Sequence, residues 1–437
     1  MKQARWRAML ISHCIMIVLA IGVRPMAQAQ TFSVIHTFTG GADGTKPLTG
    51  LTVDRAGNLY GTTYGRFGGG TVYRLRRAGS GWAFELLHQF TGSPDGSGPQ
   101  GRVRFGLDGA LYGTTLAGGI ESPCVVQGPG PGCGTIFRLT PRATICTTAS
   151  CPWIETVLFR FAGYGDGAFP SGDLTFDQQG NMYGTTTQGG IDSCGDPLSS
   201  DGCGTVYELS RQGNAWTHTI LYAFQGSGDN YADGVGPASG VILDTAGNLY
   251  GTTTAGGVGS GVVFELSPSG NDWIQRVLYS FLNGRDGATP WGAPILDRSG
   301  NLYGATVAGG SGGGGTVYEL TPSNAAWRFN LLYGLPAPGS GNYGPRDPGL
   351  TMDAAGNLYG TKAWGGAYGY GSVFKLIPSD NGWIYTSLHD FTCVGDGGLP
   401  VSSVLLDSAG NLYGTTSTGG DGNCGSGDGV VWMITPS

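Results

Sequence analysis

Charge is scarce in this sequence. Only 12% of its 437 residues are Asp, Glu, Lys or Arg, and histidine occurs 5 times. Helical periodicity is missing too: beyond the N-terminal leader no stretch repeats apolar residues at three- and four-residue spacing, which excludes helical bundles and α/β folds. Cysteine never appears as CxxC, so the common zinc-binding spacings are absent. Glycine is abundant, 84 residues, yet it does not recur every third position, which excludes collagen, and 40% hydrophobic residues exclude a disordered Gly/Ser chain. Gly-rich runs such as Gly309–Gly315 lead into strand-like segments and lack a phosphate-binding lysine, so they read as turns rather than nucleotide loops. No pair of acids stands at a repeat-breaking position of the kind a glycosidase needs.

What is present begins with a leader. Lys2, Arg5 and Arg7 precede an apolar stretch, Met9 to Val23, too short to span a membrane comfortably, and Ala27-Gln28-Ala29 forms a small-residue cleavage site. Residues 1–29 are therefore expected to be a signal peptide and 30–437 a single domain. Removal of the leader leaves 19 basic against 30 acidic side chains, a net −11, which argues against nucleic acid as a partner. No second apolar run follows, so no membrane span is expected after cleavage, and the protein is expected to be secreted or periplasmic.

Self-comparison gives the fold. A GNLYGTT-like element returns seven times, with its tyrosine at Tyr60, Tyr112, Tyr183, Tyr250, Tyr303, Tyr359 and Tyr413, at intervals of 52, 71, 67, 53, 56 and 54 residues. In the first copy, strand a is Leu51 to Asp54, an Asp-x-x-Gly turn leads to strand b at Asn58 to Thr63, strand c is Thr71 to Leu75 and strand d is Trp82 to Phe90. Four antiparallel strands per repeat predict an all-β, seven-bladed β-propeller. The last strand c, Gly429 to Ile434, has no strand d after it, whereas Phe32 to Phe38 matches the strand d segment Phe84 to Phe90. The N-terminal strand is thus expected to complete the seventh blade.

Candidate chemistry falls on the b–c and d–a loops, which share one end of the ring, here termed the top. A DGxxP element in the d–a loops supplies Asp43, Asp95, Asp166, Asp233, Asp286 and Asp396; the sixth blade breaks it, since Asp347 does not precede glycine. Six carboxylates on one face suit a cation such as calcium or sugar hydroxyls, but every blade needs this turn, so each Asp is expected to be structural, accepting backbone N–H groups of its own turn, and no cofactor or metal is expected. His36, His88 and His389 share one strand d position with Phe159, Tyr222, Tyr279 and Tyr333 and read as packing residues, with His218 an exposed mid-strand residue. Trp82, Trp153, Trp216, Trp273, Trp327 and Trp383 start strand d and read the same way. Trp291, Tyr343, Trp364, Tyr368 and Tyr370 lie outside the repeat pattern in top loops of the fifth and sixth blades, where exposed rings can stack on sugars or grip a partner. Eight cysteines remain after cleavage. Loop positions pair Cys124 with Cys133, Cys194 with Cys203 and Cys146 with Cys151, and place Cys393 and Cys424 at the same end of adjacent blades for a fourth disulfide.

The repeat DxxGNLYGTTxxGG, followed by GTVFxL and FxGxxDGxxP, resembles the bacterial GloVer (Gloeobacter and Verrucomicrobia) tandem-repeat proteins of choice-of-anchor type over essentially all of the chain after the leader. The resemblance implies an exported propeller and no particular chemistry; an anchor segment is not expected here. The GxxxDxxGNLY turn is also similar to NHL-type propeller repeats and, more distantly, to the streptogramin-lyase propeller, whose His-and-metal chemistry finds no matching residues here. The functional expectation is a non-catalytic scaffold binding a glycan, peptide or envelope partner on its top face; the alternative is an extracellular hydrolase or lyase acting on a polysaccharide or small molecule.

Overall fold

The computed structural model describes residues 30–65, 69–120, 124–126, 130–142, 153–191, 194, 202–213, 215–226, 232–323, 326–337, 349–421, 424 and 427–436. The leader therefore lies outside the described residues, as do Tyr343, Cys146 and Cys151. Among the described residues no helix is long and apolar enough to cross a membrane.

Each repeat begins with a turn built by one carboxylate. Asp54 Oδ1 accepts the backbone N–H groups of Ala56 and Asn58, both at 2.9 Å, while Oδ2 accepts Asn58 Nδ2 at 2.7 Å and the Tyr60 hydroxyl at 3.0 Å. Gly57 closes the turn at φ +80°, a conformation that side chains resist. Asp177, Asp244, Asp297, Asp353 and Asp407 repeat this set of bonds. The second blade has Gly106 in the place of that Asp, and Asp108 inside the turn takes over, accepting from Ala110, Tyr112 and Arg138. This is why Asp, Asn and Tyr recur together in the sequence.

The turn delivers the chain into strand b, where glycine is required for a second reason. A Cβ on Gly61 would fall onto the Tyr73 ring of strand c. Tyr73 and its counterparts Phe137, Tyr207, Phe264, Tyr318, Phe374 and Trp432 fill the interior of each blade. In the first blade strands a to d are Thr52–Val53, Leu59–Thr63, Thr71–Ala78 and Gly81–Gln89, paired antiparallel in that order. Six further four-stranded sheets repeat the order, and a bulge interrupts every c–d pairing at the same place.

The seventh sheet closes the ring. Thr31–Thr37 pairs with Val430–Thr435, Thr31 opposite Thr435 and Thr37 opposite Val430. The molecule is a seven-bladed β-propeller whose last blade takes its outer strand from the N-terminal end. The single helical element among the described residues is the short 3-10 turn Tyr164–Asp166.

The core lies between blades. Trp82, Trp153, Trp216 and Trp327 each meet edge-on the strand b tyrosine of the preceding blade, Tyr413, Tyr60, Tyr112 and Tyr250. A second set of rings stacks across boundaries: Phe32 on His389 at 3.7 Å, His36 on Phe84 at 4.7 Å, Phe159 on His218 at 4.3 Å, Tyr279 on Phe329 at 4.3 Å and Tyr333 on Tyr385 at 5.3 Å. His218 is accordingly not exposed, contrary to its mid-strand reading. The bulge at Leu221 sets His218 and Tyr222 on opposite faces of the strand, and neighbouring blades cover both. Glu155 occupies the repeat position of Phe84 and His218; its Oε1 is buried without a hydrogen-bond partner, and burial, aided by the charge of Asp95 and opposed by Arg160, pushes its carboxyl up to about 7.

Candidate functional site

The six repeat aspartates act as loop braces. Asp43, Asp95, Asp166, Asp286 and Asp396 each accept the backbone N–H of the residue four positions earlier, and Asp233 accepts those of Gln225 and Gly226. The strand d position that alternates between His, Tyr and Phe faces this carboxylate. Tyr222 and Tyr279 donate to Asp233 and Asp286 at 2.9 and 3.1 Å, and His389 Nε2 stands 3.0 Å from Asp396. His36 and His88 lie 3.3 and 3.4 Å from Asp43 and Asp95. These histidines therefore do more than pack: they face the brace. Burial lowers the pKa of His36 and of His88 against the opposing pull of the carboxylates. Among the described residues no group of three or more His, Cys, Asp or Glu side chains is placed to hold a metal.

Inside the ring of braces lies a cavity of about 460 Å3. It sits on the propeller axis at the top end, and all seven blades contribute to it through strand a and the loops beside it. Trp291 and Trp364, two of the five loop aromatics singled out above, line it. Trp291 is 39% exposed and Trp364 half-buried. Tyr368 is 61% exposed and lies outside the lining; Tyr370 packs against the core cluster shared by the sixth and seventh blades.

The charged part of the lining was not foreseen. Arg102, Arg104 and Asp173 are the charged residues in the cavity wall. Arg102 reaches from the second blade to Asp173 in the third: its backbone N–H and Nε each donate at 2.8 Å and Nη2 at 2.5 Å. Arg104 Nη1 stands 3.8 Å from the same carboxylate, beyond hydrogen-bond range, with 42% of its side chain exposed. Burial alone would raise the pKa of Asp173, but the charges of Arg102 and Arg104 and the bonds from Arg102 outweigh it and hold the carboxyl below its usual range. Burial and the neighbouring Arg102 lower the pKa of Arg104, with Asp173 opposing, and a guanidinium remains cationic throughout. Two cations share one anion, so the wall carries a net positive charge inside a protein whose overall charge is negative.

The signal for these residues exists in the repeat. Ten positions before each blade tyrosine stand Gly50, Arg102, Asp173, Gly240, Ala293, Gly349 and Ser403; eight positions before stand Thr52, Arg104, Thr175, Ile242, Ile295, Thr351 and Leu405. Charge appears only in the second and third blades, at positions that are otherwise small or uncharged. Thr52, Thr175 and Thr351 spend their hydroxyls on the next blade's backbone, at Val103, Val241 and Val404. Arg104, at the same position, makes no such bond and extends along the cavity wall.

Two of the expected disulfides are formed: Cys124–Cys133 and Cys194–Cys203, each closing a b–c loop. The bond expected between Cys393 and Cys424 is not; both are free thiols. Cys393 is held in place by its N–H to the Gly397 carbonyl at 3.0 Å and a left-handed φ of +71°, and burial first, then the neighbouring Cys424, raises the pKa of its thiol.

No curated protein sequence matches the chain. Among solved structures it superposes on a Thermus thermophilus protein provisionally named an oxidoreductase (glucose dehydrogenase), at 16% identity over 93% of this chain and 99% of that one, TM-score 0.46. A PQQ-bound aldose sugar dehydrogenase from Streptomyces coelicolor gives 12% identity over 93% and 98%, TM-score 0.45. A Bacteroides fragilis protein provisionally named a 6-phosphogluconolactonase gives 11% over 86% and 98%, TM-score 0.50. At such identities the likeness concerns the fold alone. The Gloeobacter/Verrucomicrobia repeat matches residues 23–256 and 259–437. Turn chemistry, blade count and this near-complete match agree, and the protein belongs to the Gloeobacter/Verrucomicrobia repeat family.

Proposed function

We propose that this protein is an exported, non-catalytic binding module that takes a saccharide of the cell envelope or surroundings into the top of its central channel. The observation that carries the reading is the position of Trp291 and Trp364. They break the repeat in sequence and come together with the charged wall around one cavity on the axis. Its volume, about 460 Å3, falls in the range of roughly 300–1,000 Å3 usual for small-ligand sites. Indole rings offer flat apolar faces to the C–H faces of sugar rings, while Gln100, Ser171, Ser239 and Ser403 supply polar atoms to the same wall. Export is supported by the leader pattern and by two disulfides, which persist in oxidising compartments.

A binding role is favoured over hydrolysis by the acid inventory. Glycoside hydrolysis ordinarily uses two carboxyl groups across the scissile bond, and the cavity lining offers one, Asp173, already engaged by Arg102. The test is a glycan array followed by calorimetry on the mature protein and on the Trp291→Ala/Trp364→Ala double variant. Loss of binding with an unchanged melting temperature is expected. Binding that survives the double substitution overturns the channel as the site.

A further inference from the structure

We infer that the saccharide bound in the channel carries a carboxylate, and that Arg104 is the residue that selects it. The inference rests on the binding reading above and deepens it to a ligand class, the acidic sugars.

The argument starts from charge balance in the cavity wall. Asp173 receives three hydrogen bonds from Arg102 and is thereby neutralised. Arg104 is left with an ion-pair distance of 3.8 Å and no hydrogen bond to another described residue. A guanidinium has five N–H donors in a planar fork that matches the two oxygens of a carboxylate. Here it stands in a partly dehydrated pocket, where a paired charge gains more than it does in open water. Arg102 also pushes against it, so an added anion relieves repulsion between the two guanidinium groups as well as pairing with Arg104.

The placement of the remaining lining fits the same class. In a seven-membered ring the second and third blades lie across the axis from the fifth and sixth. The cationic wall is thus on one side of the cavity and the blades that supply Trp291 and Trp364 are on the other. A sugar ring stacked on an indole presents its ring substituents edgeward, and a carboxylate at the rim of that ring points toward the cationic wall. A neutral sugar would leave the Arg104 charge unanswered. A free inorganic anion would leave the indole faces unused. A uronate uses both.

The experiment is titration calorimetry of the full mature protein with glucuronate, galacturonate and mannuronate disaccharides and with their neutral methyl esters. Wild type, Arg104→Thr and Trp291→Ala/Trp364→Ala are compared at low and moderate salt. Thr is the residue at this position in three other blades, so the fold should tolerate it. Arg104→Gln serves as the second variant, keeping hydrogen-bond donors without the charge. The expected result is that at least one acid binds about tenfold or more tightly than its ester. Both Arg104 variants should bring acid and ester to within about twofold of each other and flatten the salt dependence. The tryptophan variant should lose acid and ester alike. Acids and esters that bind equally to wild type, or a preference that survives in both Arg104 variants, would overturn the carboxylate inference and leave saccharide binding standing. Absence of binding for every sugar would overturn the saccharide reading and this inference with it.

Discussion

Arg102 and Asp173 occupy the same position in successive repeats, and their side chains meet across the boundary between the second and third blades, with Nε 2.8 Å from Oδ2. Elsewhere the position holds Gly, Ala or Ser. Removing one partner takes a counter-charge from the other, which stays partly buried, whereas removing both brings the position closer to the small residues of the other blades. The two single changes should also differ from each other. Asp173→Ala takes the shared carboxylate away from two guanidinium groups at once, while after Arg102→Ala the freed carboxylate still has Arg104 beside it. We expect Asp173→Ala to be the more destabilising, by about 2–3 kcal/mol, and the double variant to be milder than the sum, with a coupling of about 1–3 kcal/mol. Denaturant unfolding of the four proteins checks this; strict additivity would sink it.

Glu155 sets a pH dependence. Its folded pKa, about 7, lies above the ordinary carboxyl value, so the folded state holds the proton more tightly than the unfolded chain does. Its contribution is fully present below about pH 4.5 and is lost as pH rises through 7. Gln275 fills the equivalent position in the fourth blade. Glu155→Gln should therefore be more stable than wild type at pH 8, by about 1–2 kcal/mol once solvent screening of this half-exposed site is discounted, and the gap should close by pH 5. An equal gap at both values would rule out titration of Glu155 as the cause.

Three tyrosines carry a hydroxyl they do not use. Tyr73, Tyr207 and Tyr318 are fully buried, their oxygens lack a hydrogen-bond partner, and burial pushes their phenol pKa values far above the ordinary one. The same position is Phe137, Phe264 and Phe374 in the alternate blades. Tyr→Phe at each of the three should stabilise by about 1 kcal/mol, since a buried polar group without a partner is a net loss. Thermal melting reads this directly, and a drop in midpoint for all three would contradict it.

Deletion of residues 30–40 should destabilise every blade rather than one. It removes Phe32, Ile35, His36 and Phe38, which pack against both the sixth and the first blades, and it leaves Val430–Thr435 as an open edge. The midpoint should fall by about 10 °C or more, with aggregation visible by light scattering. A deletion variant that melts like wild type would refute the closure's importance.

The fold was readable because its determinants are local and repeated. Asp54, Asn58, Gly57 and Tyr60 build one turn with one set of bonds, and five other copies repeat it at the same spacing. Closure was readable for a related reason: a strand d pattern at Phe32–Phe38 had no blade of its own. The channel site was half readable. Trp291 and Trp364 stood out as bulky residues in glycine-rich loops, whereas Arg102, Arg104 and Asp173 each resemble an ordinary surface substitution until the ring brings strand a of every blade to the axis. His218 was misplaced because a bulge, invisible in the residue alternation, turns the strand between it and Tyr222. Cys393 and Cys424 share an end of the ring, as their loops imply, but whether two nearby sulfurs bond depends on backbone angles that spacing does not fix.

The pairing of Thr31–Thr37 with Val430–Thr435 orders events during synthesis. The first strand to leave the ribosome has to wait for the last, and Thr435 reaches back 404 residues to the Thr31 carbonyl. The entropy of closing so long a loop exceeds that of closing a single repeat of about 50 residues by only about 2 kcal/mol, because it grows with the logarithm of length. The finished ring bears this easily, but the growing chain cannot bypass it. Until its final residues emerge, the nascent protein is an arc with two unsatisfied ends, each an open strand edge able to pair with a neighbour's instead.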